Sequence, residues 1–267
     1  LGVKIETGID VAEVLINRQR VTGVRLHNGD GISADIVVSN VNPKLLHLDL
    51  IDKDVVSATT RQHFLDYKCA SGSFRMNVAL DELPRFSART PSDALTGGII
   101  MAPSLEYMDR AYQDAREFGY SKSPIVEMLI PSIIDDSLAP TGKHVASLFC
   151  QQFNPSLGAR WDSEKHPAAN TVIDTISAYA PNFRASIIHA QVHSPYDLEH
   201  KFGLIGGDIF HGRLSLDQLF SARPMIGIAQ YETEFTNLYM CGAGTHPAGG
   251  VSGMPGYNAA KQILRKI

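Results

Sequence analysis

The stretch that decides the fold is residues 237–267, NLYMCGAGTHPAGGVSGMPGYNAAKQILRKI. It opens with a short apolar run, Leu238-Tyr239-Met240-Cys241, of strand length. A loop follows with glycines at Gly242, Gly244, Gly249, Gly250, Gly253 and Gly256. Residues 258–266 then place Ala259, Ile263 and Leu264 at helical spacing. Strand, glycine loop and helix form the geometry that holds a phosphate or another electron-rich group. The glycines let the backbone approach closely, and the first helical turn offers unpaired N–H groups and a positive dipole end. Six glycines in fifteen residues exceed the need of a tight turn. Each costs about 0.5–1 kcal/mol of helix or strand stability relative to alanine, which suggests that something presses against this backbone. The motif is not a Walker loop, because no Gly-Lys-Ser/Thr follows. Nor is it a G-x-G-x-x-G, because His246-Pro247 comes after Gly244.

Two further stretches join it. GGDIFHGRLSLDQLFSARP spans residues 206–224, and TGVRLHNGDGISADIVVSNVNP spans residues 22–43. Together with GAGTHPAGGVSGMPG, these resemble the phytoene-desaturase-like FAD oxidoreductases. Within that family they are most similar to the branch of pyridine nucleotide-disulfide oxidoreductase domain-containing proteins. The three motifs fall in the right order and the resemblance runs the whole length. It implies FAD as cofactor and a fold that is part α/β and part α+β. Residues 1–44 would be part of a Rossmann-like FAD-binding domain (a β-meander and a returning strand). Residues 45–225 would form a substrate domain with a mostly antiparallel sheet and helices, and residues 226–267 would return to the FAD-binding domain. The family's opening strand-GxGxxG-helix unit, which holds the ADP half of FAD, is not matched here. The resemblance therefore implies the C-terminal half of a flavoprotein, inactive and without FAD by itself.

The same resemblance carries the site residues. Asn40, Gly242, Gly244, Thr245, Gly249, Gly250, Val251, Ser252, Gly253 and Met254 would contact the cofactor, with the helix start near 251–254 at the flavin's pyrimidine edge. Ser39 and Asn40 either lie at the flavin-bearing edge or simply end a strand. Phe210 and His211 would face the substrate, and His211 is the catalytic candidate, since glycines flank it and its loop would lie near the isoalloxazine ring. His246-Pro247 is read as shaping the loop. Leu216, Leu219 and Phe220 could line a substrate tunnel, but the helical spacing of Leu216 and Phe220 points to core.

Composition narrows the classes. The chain has 267 residues, is 44% hydrophobic and 19% charged, and carries a net charge of −4. That is an ordinary globular balance with no electrostatic reason to expect nucleic acid. No apolar run reaches a membrane span; membrane association is possible but not shown by the sequence. The three cysteines, Cys69, Cys150 and Cys241, form no C-x-x-C and are read as buried thiols. No metal-ligand spacing occurs, so no metal is expected. A soluble protein of the cytoplasm, or of the mitochondrial matrix in a eukaryote, is the expected setting, and self-association through uncovered apolar surface is expected too.

Secondary structure is read as follows. Strands are expected over residues 11–16, 21–26, 32–34 and 35–40, the last as a buried strand of a parallel sheet, with Asn28-Gly29 marking a hairpin turn. A helix is expected over 43–67, a strand over 73–80, a loop over 83–96 and a short strand over 98–101. A helix over 104–118 has Ser104 as N-cap and Gly119 as stop. Strands are expected over 125–130, 145–153 and 186–193, and helices over 164–180 and 195–202, the latter preceded by Ser194. The pattern and the resemblance together predict an oxidoreductase that oxidises or desaturates a small apolar or amine-bearing molecule by hydride transfer to flavin, a reaction in which the cofactor carries the chemistry. The competing readings are a binding module without flavin and an amine-oxidase-like flavoenzyme.

Overall fold

The computed structural model describes residues 2–88 and 93–267. The middle of the loop expected over 83–96 lies outside the described residues. The chain folds into two compact units. One is discontinuous, built from residues 1–71 and 209–267; the other is residues 72–208. The expected divisions at 44/45 and 225/226 therefore move: residues 45–71 and 209–225 belong to the discontinuous unit. The chain does not leave that unit at Pro43 because the helical segment after it buries Leu46, Ile51 and Val56 in a core with Val14, Val21, Phe235, Leu238 and Met240.

The discontinuous unit opens with a meander: β1 (Val11–Asn17), β2 (Arg20–Leu26) and β3 (Gly31–Ser33), all antiparallel. Arg18 and Gln19 turn the first hairpin with φ of 48° and 62°, the left-handed pair that a tight hairpin needs. Next comes β4 (Val37–Ser39), shorter than the sequence suggests and only half-buried. The expected long helix over 43–67 is three pieces. α1 (Pro43–Leu45) runs into a π-helical turn at Leu46–Leu50, and α2 (Ala58–Asp66) starts afresh. The break has a local cause. Asp52 accepts the backbone N–H of Asp54 at 2.9 Å, and the Ser57 hydroxyl caps Thr60 N at 3.2 Å. Both side chains offer the backbone an alternative to a continuous helix.

Residues 72–208 carry β5 (Phe74–Leu80), β6 (Ile99–Met101), α3 (Leu105–Phe118), β7 (Tyr120–Leu129), β8 (His144–Phe153), α4 (Trp161–Tyr179), α5 (Phe183–Ser186), β9 (Ile187–His193) and α6 (Pro195–Phe202). The five strands form one antiparallel sheet in the order β6-β7-β8-β5-β9, as expected of a mostly antiparallel unit. Alternation along β5 buries Phe74, Met76, Val78 and Leu80 on one face. There they meet Ala168, Val172 and Ile176 of α4. Burying each larger apolar side chain contributes about 1.5–3 kcal/mol. Trp161 is fully buried and donates Nε1–H to the Asn154 carbonyl at 3.0 Å. The helix ends obey the sequence: Ser104 caps α3, and Gly119 stops it at φ 99°, where a Cβ would press on Leu157 at 2.8 Å. Ser194 and Asp197 form a reciprocal capping box on α6.

The chain then returns to the discontinuous unit. β10 (Leu238–Met240) is buried throughout and pairs parallel with β4, Tyr239 opposite Val38. α7 (Met254–Leu264) closes the fold, starting four residues before the helix read from the sequence. The thiol expectation holds for Cys150, which is buried, but Cys69 and Cys241 are half-exposed. No helix among the described residues is long and apolar enough to cross a membrane.

Candidate functional site

The β10–α7 connection divides into a packed half and an open half. In the packed half, a Cβ on Gly242 would overlap the carbonyl of Asn40, and one on Gly244 would overlap the Pro43 ring. A Cβ on Gly249 would come within 2.8 Å of Phe210 Cδ1. These three glycines let the loop lie directly on the end of β4 and on residues 210–211. Thr245 belongs to the same half. Its hydroxyl and its N–H both go to the Gly242 carbonyl, at 2.9 and 3.0 Å, and it is buried. Its side chain is engaged within the loop. His246 likewise shapes the loop, its carbonyl accepting the Tyr231 hydroxyl at 2.9 Å.

The open half begins at Gly250. Nothing lies within 4 Å of a Cβ built on Gly250, Gly253 or Gly256, and Gly250 and Gly253 have φ of +115° and +70°. Val251 is fully exposed and held at φ 55°. A β-branched residue rarely adopts that conformation, and such strain concentrates at ligand clamps. Gly253 is the N-cap of α7 and supplies no side-chain cap; the Ser252 hydroxyl accepts the Met254 N–H at 3.3 Å. The helix thus presents a glycine-lined, uncovered N-terminus with a positive dipole end. The backbone of Gly250, Gly253 and Gly256 is open to a group laid against it.

The structure brings most of the expected residues together. Gly242 lies on Asn40 and Gly249 on Phe210, and the carbonyl of His211 would lie 3.2 Å from a Cβ on Gly244. His211 has φ 56°, and its carbonyl accepts the Tyr67 hydroxyl at 3.2 Å. Ser39 meets the loop through its carbonyl, which accepts Cys241 N–H at 2.9 Å. Gly250, Val251, Ser252, Gly253 and Met254 form the open half. One expectation is overturned. Leu216 and Phe220 are not core: they are 90% and 68% exposed, on isolated 3-10 turns. The polar Gln218 is buried in their place, accepting Lys68 N–H at 2.8 Å and donating to the Lys68 carbonyl at 2.9 Å.

The residue that sequence reading missed is Arg223. It is fully buried, and its guanidinium donates to the carbonyls of Phe210, Gly212, Gln218 and Ala243. It therefore fastens residues 210–218 to the glycine loop. No local pattern marks it, since all four acceptors are backbone. Tyr231 and Asn258 were missed as well; Asn258 donates to the Tyr231 hydroxyl at 2.8 Å and so pins α7 to the loop. Among the described residues no group of three or more His, Cys, Asp or Glu side chains could hold a metal ion.

No family model matches this chain. It is 38% identical to pyridine nucleotide-disulfide oxidoreductase domain-containing protein 2 of Rattus norvegicus, over 277 aligned positions that take in 100% of this chain and 48% of that protein. It is 24% identical to a 4,4'-diapophytoene desaturase of Methylomonas sp, covering 100% of this chain and 49% of the relative. The chain thus spans about half the length of the curated relatives it matches. Among solved structures, an oxidoreductase from Methanosarcina mazei superposes with a TM-score of 0.61 at 17% identity, over 99% of this chain and 50% of that one. A putrescine oxidase variant gives 0.60 at 12% identity, over 96% and 49%. At these identities the structures speak for the fold alone: a Rossmann-like fold with an antiparallel-sheet unit.

Proposed function

We propose that this chain, which matches the phytoene-desaturase-like oxidoreductases over its whole length, supplies the flavin-edge contacts and the substrate unit of an FAD-dependent oxidoreductase. The observation that carries the reading is the open half of the glycine loop. Gly250 and Gly253 leave uncovered space in front of an uncapped helix N-terminus.

The residues that would hold the cofactor are the exposed backbone of Gly250, Val251, Ser252, Gly253 and Met254, with Asn40 at the end of β4. When bound, FAD supplies a two-electron acceptor for oxidation or desaturation of an apolar or amine-bearing molecule. The protein's part is positional and electrostatic. The α7 N-terminus favours negative charge beside it through its dipole, while Pro255 carries no N–H and the Met254 N–H is given to the Ser252 hydroxyl. The strained Val251 and the packed glycines hold that backbone in place without a covering side chain. His211 and Phe210, fastened by Arg223, border the loop on the side where a substrate would meet it, and His211 is the candidate for a direct role there.

The test is flavin content. A polypeptide of the relatives' full length should retain stoichiometric FAD after desalting. Residues 1–267 alone should take up little, because the relatives' remaining half would supply the rest of the pocket. A full-length protein that emerges colourless overturns the proposal.

A further inference from the structure

The five-stranded sheet has two unlike faces. One carries Phe74, Met76, Leu148 and Cys150, all fully buried in the core. On the other face the register sets Glu127, Phe149, Arg75 and His193 in a single row, each opposite the next across neighbouring strands. All four are half-buried. Arg75 is central and is held from two sides. One guanidinium nitrogen donates to the Ser147 hydroxyl at 2.9 Å, and its Cζ lies 5.6 Å from the centre of the Phe149 ring. Neither contact neutralises it, and no ion pair engages it among the described residues. A half-buried guanidinium oriented by a hydroxyl and a ring keeps donors free for an anion. Its neighbour His193 has a buried Nδ1 without a hydrogen-bond partner among the described residues. The ring meets Phe202 edge-on at 5.4 Å. Burial, with Lys201 nearby, holds this imidazole's pKa below the usual range.

We propose that this row is the recognition wall for a small monocarboxylate, whose acid group Arg75 holds while Phe149 packs against its apolar body. The planar guanidinium matches a carboxylate with two parallel hydrogen bonds. Glu127 sits two strands from Arg75, about 10 Å away by sheet spacing, and repels a second acid group, which disfavours dicarboxylates. This deepens the functional reading above and rests on taking residues 72–208 as the substrate unit; it narrows the substrate to an acid-bearing apolar molecule.

The experiment follows the arginine side-chain N–H resonances of this chain by NMR while phenylacetate, and separately its neutral isostere phenylacetamide, is added at constant ionic strength. Arg75→Lys assigns the Arg75 signal. The expected result is a saturable shift of that signal with phenylacetate and at least tenfold weaker binding of the amide. Arg75→Gln should lose phenylacetate binding with an unchanged unfolding transition. Equal affinity for acid and amide overturns the proposal, as does phenylacetate binding that survives in Arg75→Gln. If that variant fails to fold, the wild-type spectrum decides: a shift confined to other arginines overturns it. No flavin is needed, so the outcome is separate from that of the flavin test.

Discussion

The Arg223 guanidinium grips the Ala243 carbonyl through both Nε and a terminal nitrogen, at 3.2 and 2.8 Å. The same side chain reaches Phe210, Gly212 and Gln218. One buried cation thus sets the spacing between the glycine loop and the segment that carries His211. Charge-assisted hydrogen bonds contribute about 1.5–3 kcal/mol each at best, and a buried carbonyl left without its donor costs a comparable amount. Arg223→Met should therefore lower stability by about 3 kcal/mol or more in chemical denaturation. Arg223→Lys should recover only part of it, since one ammonium cannot span four carbonyls. A Met variant within experimental error of wild type would remove Arg223 as the fastener.

The two halves of the glycine loop should respond unequally to a methyl group. Gly242→Ala puts Cβ against the Asn40 carbonyl, in backbone that has little room to shift. Gly250→Ala meets nothing within 4 Å and pays only for its positive φ, about 1 kcal/mol. Thermal unfolding should show a several-degree loss for Gly242→Ala and a small one for Gly250→Ala. The reverse order would place the ligand-facing stretch on the wrong half.

His47 gives the discontinuous unit a pH dependence. It lies fully buried in the π-helical turn, stacked on Phe64 at 4.1 Å, with Nδ1 2.8 Å from the Pro43 carbonyl. Its Nε2 is buried without a partner among the described residues. Burial lowers its pKa from 6.5 to about 4, outweighing the Pro43 hydrogen bond and the Glu234 charge, which raise it; His63 lowers it a little further. The folded pKa lies below the unfolded one, so the unfolded chain binds the extra proton between the two. Stability from this residue is complete above pH 6.5 and is lost as the pH falls toward 4. At about 1.4 kcal/mol per unit the loss is on the order of 3 kcal/mol. His47→Phe should flatten the stability profile across that window; an unchanged slope assigns the acid sensitivity elsewhere.

Local chemistry was legible wherever it was written into adjacent residues. Ser104 and Gly119 bounded α3, Ser194 opened α6, and the alternation of residues 73–80 marked a strand, because caps and period-two burial act within a few residues. The glycine loop was legible as a site, but its division was not. Gly242 and Gly253 look alike in sequence and differ only in what the fold sets before them: the Asn40 carbonyl or open space. Leu216 and Phe220 misled for a similar reason. Their spacing promised a buried helical face, yet Gln218 took the buried position through two hydrogen bonds to Lys68, 150 residues away. Arg223 carried no signal, because its partners are carbonyls that any residue would supply.

Gly253 tests the placing of the flavin edge. It caps α7 at φ +70° without a side chain, and open space lies before it. Reduced flavin carries negative charge around its pyrimidine edge, which the N–H groups and dipole of a helix N-terminus would stabilise. An aspartate at this position meets no neighbour but takes on the cost of the positive φ, about 1 kcal/mol, so Gly253→Asp should unfold only slightly below wild type. In a full-length protein the same carboxylate would face the developing charge. FAD binding should weaken and the flavin reduction potential should fall. A change of about 30 mV in a two-electron couple corresponds to roughly 1.4 kcal/mol, so even a modest dipole contribution is measurable by redox titration. Stability retained with flavin lost or its potential lowered supports the placement. Flavin held at an unchanged potential means that this helix end faces some other part of the molecule.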